Sequence, residues 1–211
     1  MGPRTDPFRA QFDQAADRLL ARLAGPTMNS GDDDEVPVPP LTDDEYLWEP
    51  GPGCWTVRPR ADGPGPGAAV LAGGGEWGRD GGWPRPSPPP FTTIAWRLSH
   101  LTEGLALRAD HSVGTHALTP EEVEPQGTAA PAVDALRAAT AAWRDVLERV
   151  TDDDLDTVGY STFPHGSDPE DPFVDVVWWV NQELLHHGAE IALLRDLYRL
   201  LVVDRSATIE P

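Results

Sequence analysis

Apolar residues recur at three- and four-residue spacing in four separate stretches of the chain, with polar residues between them. That period aligns side chains on one face of an α-helix. The first stretch follows Asp6-Pro7, a cap and first helical position, and aligns Phe8, Phe12, Ala15, Leu19, Leu20 and Leu23 before Gly25-Pro26 ends it. The second opens at Thr92 or Thr93 and ends near Asp110. Ile94, Leu98, Leu101 and Leu105 form one stripe on it, and Trp96, His100 and Leu107 another. Two stripes predict a helix that contacts neighbours on more than one side. The third begins near Pro131 and carries Val133, Leu136, Thr140, Trp143, Leu147 and Val150. The fourth runs from Asp171-Pro172 to about Val203 and carries Val176, Val180, Leu184, Ile191, Leu194 and Leu201. No stretch reads convincingly as a strand. The pattern predicts one all-α domain over residues 1–211, a four-helix bundle with a long Gly/Pro-rich loop between the first and second long helices.

The connections are polar and irregular. Asn29 to Pro40, with Asp32-Asp33-Asp34-Glu35, reads as a solvated linker. Thr42-Asp43-Asp44-Glu45 has the form of a capping box and predicts a short helix presenting Tyr46, Leu47 and Trp48. Trp55 and Val57 anchor the segment that follows. From Ala61 to Pro90 the chain is mostly Gly, Pro, Ala and Ser with isolated Trp77 and Trp83, a composition too poor in apolar residues to fold alone. A disordered insertion or loosely draped loop is expected at 61–90. Thr119-Pro120-Glu121-Glu122 is a second capping-box pattern, Thr151 to Leu155 a turn, and the stretch to Glu170 a loop.

Composition narrows the function classes. Sixteen basic residues, all Arg, face 35 acidic ones, for a formal charge of −19. Such a surface repels phosphate backbones and anionic lipid, which argues against nucleic-acid and membrane-surface partners. A single cysteine, Cys54, excludes an internal disulfide and any multi-cysteine metal site, and it reads as a packed small residue. No run approaches the roughly 20 apolar residues of a membrane span, and no basic segment followed by an apolar run marks secretion. A cytoplasmic location is expected.

Glu183 and His187 lie one helical turn apart on the apolar face of the fourth helix, beside Val180, Leu184 and Ile191. A carboxylate where leucine would ordinarily sit needs a compensating partner, and a metal cation supplies one. His100 is the other histidine inside a long helix. Two imidazoles and a carboxylate make the three-ligand set of catalytic zinc sites, leaving a position open. The same spacing also suits a surface ion pair, and His100 alone suits a hydrogen-bonded core histidine. His186, three residues from Glu183, competes with His187. The continuity of the Val180, Leu184, Ile191 face favours His187. Glu190 suits either a hydrogen-bond acceptor for a ligand imidazole or a solvent-facing or Arg-paired role. His111, His116 and His165 fall in expected loops, where a solvated side chain is ordinary. Trp96, Trp143, Trp178 and Trp179 read as core filling.

Trp55-Thr56-Val57, Thr93-Ile94-Ala95-Trp96-Arg97-Leu98-Ser99-His100-Leu101 and Glu183-Leu184-Leu185-His186-His187-Gly188-Ala189-Glu190-Ile191, in that order, resemble the DinB-like superfamily of four-helix-bundle proteins. In that family a divalent metal is held by one His on the second helix and two residues four apart on the last, commonly both His. Glu183 departs from the three-His form. It matches the His, Glu, His set of the mycothiol-dependent maleylpyruvate isomerases, at His100, Glu183 and His187. The resemblance implies one divalent ion, zinc or nickel, a low-molecular-weight thiol such as mycothiol or bacillithiol, and S-transfer or isomerisation of a small-molecule electrophile. It is also compatible with a homodimer. A non-catalytic metal-binding or stress-response bundle and a metal-dependent hydrolase are the alternatives to that activity.

Overall fold

The structure, a computed structural model, describes residues 2–25 and 39–203. The long helices are α1 (Thr5–Ala24), α3 (Ile94–Val113), α4 (Ala129–Arg149) and α5 (Phe173–Tyr198), and a single turn, α2, spans Asp43–Tyr46. Their apolar faces meet in one core that includes Phe12 and Leu19 from α1, Leu98 and Leu105 from α3, Leu136 and Trp143 from α4, and Leu184 and Ile191 from α5. Each long helix packs against two others: α4 and α5 lie between α1 and α3. The chain is therefore mostly helical, as its periodicity predicts. Helix ends differ from expectation by a few residues, with α3 running on to Val113 and α4 starting at Ala129. Apart from Pro39 and Pro40, the expected linker at 29–40 lies outside the described residues.

Two polar devices fix the ends of these helices. Thr93 caps α3, its Oγ1 accepting from Trp96 N at 3.2 Å. Thr42 caps α2 in the same way, accepting from Glu45 N at 3.2 Å. The Glu45 side chain does not close that capping box. It is buried and forms a two-pronged ion pair with Arg195 of α5, at 2.7 and 3.0 Å. Arg195 also donates to the backbone carbonyls of Arg22 and Pro39, so one buried guanidinium ties the end of α1, the approach to α2 and the last turns of α5 together.

The expectation of no strands is corrected. Val57–Pro59 (β1), Val70–Ala72 (β2) and Trp77–Gly81 (β3) form a three-stranded antiparallel sheet in the order β1-β3-β2. Most of it lies inside the segment expected to be disordered. The strands hold because the sheet borrows a side chain for stability: buried Asp80 accepts from Thr56 N (3.0 Å), Arg58 Nε (2.9 Å) and Gly65 N (2.7 Å). Its backbone carbonyl accepts from Trp96 Nε1 at 2.8 Å, which docks the sheet on α3.

Three further expectations change. His111 is not in a loop: it ends α3, buried, with its ring nitrogens facing Thr162 Oγ1 and the Leu118 carbonyl. Leu201 leaves the core face because the chain widens to a π-helical turn over Arg199–Val203, which rotates the register. Trp178 is exposed to solvent, while Trp143 is fully buried.

Asp80→Ala strands two backbone donors and a guanidinium in a site already closed to water, and should destabilise the protein by about 3 kcal/mol. Denaturant unfolding checks this; a loss below about 1 kcal/mol means the sheet does not depend on Asp80.

Candidate metal centre

His100 stands near the middle of α3, and Glu183 and His187 stand one turn apart on the facing stretch of α5. The contact between the two helices brings the three together. Glu183 Oε2 lies 2.9 Å from His100 Nε2 and 3.4 Å from His187 Nε2, and the imidazole rings meet edge to face at 5.0 Å. All three side chains are mostly buried. His186 points away: its side chain is 57 % exposed, and it contacts Glu190 rather than Glu183. The structure thus assembles the three residues that the helical spacing singles out and leaves the competing histidine outside.

The orientation of His187 is set by a chain of charged groups. Its Nδ1 lies 2.7 Å from Glu190 Oε2, and that carboxylate oxygen also accepts from Arg97 Nη1 at 2.7 Å. Both alternatives for Glu190, imidazole acceptor and Arg partner, are therefore realised at once. Pairing of Nδ1 with Glu190 leaves Nε2 facing Glu183, as the nitrogen that becomes a free donor atom once its proton is lost. His100 is positioned by stacking. The Trp96 indole lies 5.1 Å from it and nearly parallel, and Trp96 is in turn held by the Asp80 carbonyl and capped by the Arg79 guanidinium at 5.2 Å. Arg79 pairs with Glu103 at 2.8 Å.

These contacts pull the titrations apart. Hydrogen bonds from His100 and His187 hold the Glu183 carboxyl well below the usual carboxylate range, overcoming the opposing effect of burial. Burial pushes His100 down, and its hydrogen bond to Glu183 only partly offsets that. Burial also acts to lower His187, but its two carboxylate neighbours outweigh it and its pKa is raised. The shifts thus favour a charged carboxylate and a neutral His100, and they bias the balancing positive charge toward His187.

The donor set fits a divalent cation. One atom from each residue can be chosen so that all lie within 4.8 Å of one another. Ligands at about 2.0–2.2 Å from a common tetrahedral zinc stand about 3.4 Å apart; the Glu183 oxygen is already 2.9 and 3.4 Å from the two imidazole nitrogens, and the widest separation has to close by about an ångström. The mixed imidazole and carboxylate set suits zinc and its first-row neighbours, and the neutral His100 is already in the ligand form.

Arg97 and the positioning role of Trp96 were not legible as site features. The signal was present: Arg97 precedes His100 by three residues as Glu190 follows His187 by three, so the opposite charges sit beside the two histidines on facing helices. No curated protein and no solved structure matches the chain. The family model of the DinB superfamily matches residues 11–191, from within α1 to beyond the last of the three candidate ligands. The similarity of the Trp55, Thr93–Leu101 and Glu183–Ile191 segments thus extends over most of the sequence, and the chain belongs to the DinB superfamily.

Proposed function

We propose that the protein is a divalent-metal-dependent enzyme that transfers a low-molecular-weight thiol to, or isomerises, a small electrophile, with His100, Glu183 and His187 as ligands on a DinB-type four-helix bundle. The observation that carries this reading is the placement of one carboxylate between two imidazoles, with His187 aimed by Glu190 and Arg97. A bound divalent ion would supply Lewis-acid chemistry, holding a thiol as thiolate or lowering the pKa of a water to about 7. The chain's own residues do the rest. Glu183 brings the negative charge that retains a dication, and the Trp96 stack fixes the plane of His100. Glu190 faces Nδ1 of His187, Trp96 lies edge-on to the His187 ring, and Trp179 lines the cavity beside His100 and Glu183. Space remains beside the ligands: a cavity of about 10 Å³ is lined by His100, Gly104, Trp179 and Glu183 among others, and a Cβ added at Gly104 would meet nothing within 4 Å. A cytoplasmic protein acting on a small molecule fits this reading. Among the described residues no helix is long and apolar enough to cross a membrane.

A metal-dependent hydrolase is the second reading, favoured by that same cavity. Its volume suits about one water molecule, and water would then take the place of the thiol.

Elemental analysis of the purified protein should find close to one divalent ion per chain, and His187→Ala should lose most of it. Equal, negligible metal in both after reconstitution leaves a non-catalytic bundle. With metal present, perturbation of a cobalt-substituted spectrum by added thiol supports S-transfer, and its absence favours the hydrolase.

Glu190→Gln keeps the shape of the side chain but weakens the acceptor for His187, so metal affinity should fall about 10- to 100-fold. Competition with a chromophoric chelator measures it; a change under about threefold means that Glu190 does not tune the ligand.

Metal must displace the proton that His187 holds above its ordinary pKa. Affinity should therefore rise with pH through and above about 6.5, and fall on the acid side. Chelator competition across that interval should show near one proton released per ion; a flat profile contradicts the proton on His187.

A further inference from the structure

On the side of α3 turned away from His100, α3, α4 and the segment that joins them enclose a groove of about 700 Å³. Ser99 of α3 shares a smaller inner cavity with Ala132 and Ala135 of α4, and Val113 shares the outer groove with Arg149, so the two helices run parallel. Their connection must therefore return along the length of the pair, and it forms the third wall. Ala106 and Ala109 from α3, with Ala135, Ala138, Ala139 and Ala142 from α4, make the other two walls apolar. Every wall is fixed. Asp110 accepts from the backbone N–H groups of Thr115, Ala117 and Leu118 at 2.8 to 2.9 Å, and the Tyr46 hydroxyl donates to the Gln126 carbonyl at 2.6 Å. Gly74 N donates to the Val123 carbonyl at 3.1 Å, which ties the connection to the sheet. The groove is thus preformed, as sites for small molecules usually are, and its volume falls within their range of roughly 300–1,000 Å³.

Two polar groups on these walls lack partners. Thr102, 9 % exposed, lines both the groove and the inner cavity, and its hydroxyl makes no hydrogen bond among the described residues. A threonine inside a helix can return its proton to a carbonyl of the preceding turn, as Thr140 does to Arg137 at 2.9 Å. A buried hydroxyl withheld from that bond costs free energy until something in the cavity completes it. At the mouth, Glu122 closes a capping box on Thr119 N at 2.9 Å, whereas the Glu124 carboxylate has no ion-pair or hydrogen-bond partner among the described residues. Arg149, the guanidinium on the rim, is already engaged by Asp145 at 2.6 Å. We propose that the groove binds a small organic cation with an apolar body: an amine whose ammonium faces Glu124, whose hydrocarbon lies on the alanines, and whose far end carries a hydroxyl that pairs with Thr102. A metal ion finds methyl groups there in place of ligands, and an anion meets the carboxylates. A purely apolar molecule leaves both Glu124 and Thr102 unmatched. The site stands on the opposite face of α3 from the candidate metal centre and does not depend on what that centre does.

Tyramine is the probe, because it joins an ammonium, an aromatic body and a phenol. Phenethylamine lacks the phenol, tyrosol has a neutral hydroxyl in place of the amine, and phloretate has a carboxylate there. Titration of the full chain, followed by NMR of its backbone amides, should give a tyramine dissociation constant of about 1 mM or tighter. The shifted amides should cluster between Ala135 and Ala142 of α4, a helix that supplies no residue to the metal centre. Tyrosol and phenethylamine should each bind about fivefold more weakly, and phloretate should not bind. Glu124→Gln should remove most of the advantage over tyrosol, and Thr102→Val most of the advantage over phenethylamine. Ala142→Trp fills the groove from an exposed position and should abolish binding with unchanged circular dichroism. No shift in α4 at about 10 mM tyramine, equal binding of phloretate, or preferences unmoved by Glu124→Gln and Thr102→Val overturns the proposal. A changed sedimentation coefficient of the unliganded Ala142→Trp protein also overturns it, by assigning the groove to a contact between chains.

Discussion

A carboxylate held largely out of water must be balanced by positive charge, and Glu183 imposes that constraint on everything around it. Its two nearest partners are imidazoles, one from each of two helices, so the requirement becomes a demand on how α3 and α5 pack. The neighbours then follow in order. His187 takes the positive charge because Glu190 supports it, Glu190 is affordable because Arg97 supports it, and Arg97 comes from the same helix as His100. The loop of interactions closes on α3, where it began.

The small sheet gains its meaning from that loop. Trp96 fixes the plane of His100, and Trp96 itself is fixed by a backbone carbonyl of β3. Asp80 gathers three donors with its side chain while its carbonyl takes the indole N–H, so one residue both holds the sheet together and attaches it to α3, the helix of His100. A segment that reads as filler in composition serves as a brace for the centre.

The helices were legible in the sequence because their apolar spacing is long, regular and satisfied by a single core. His100, Glu183 and His187 were legible for the related reason that polar side chains on such a face are anomalous. The sheet was not legible. Its strands are three to five residues long, broken by glycine, and held by Asp80 and by docking on α3, neither of which leaves a periodic trace. Leu201 and Trp178 mark the other limit of periodicity. A π-helical turn shifts the register at one, and the other belongs to a face that no part of the described chain covers, which a pattern of apolar residues cannot distinguish from core.

His100 and Glu183 are separated by 83 positions along the chain. An ion shared between them would close a loop of that length as a covalent bridge does in proteins with more than one cysteine. Chain-entropy arguments value such a closure at roughly 4.5 kcal/mol. In a protein whose lone thiol is buried and unpaired, the metal ligands would be the sole cross-link among the described residues, and the same three side chains would serve as both reaction centre and staple.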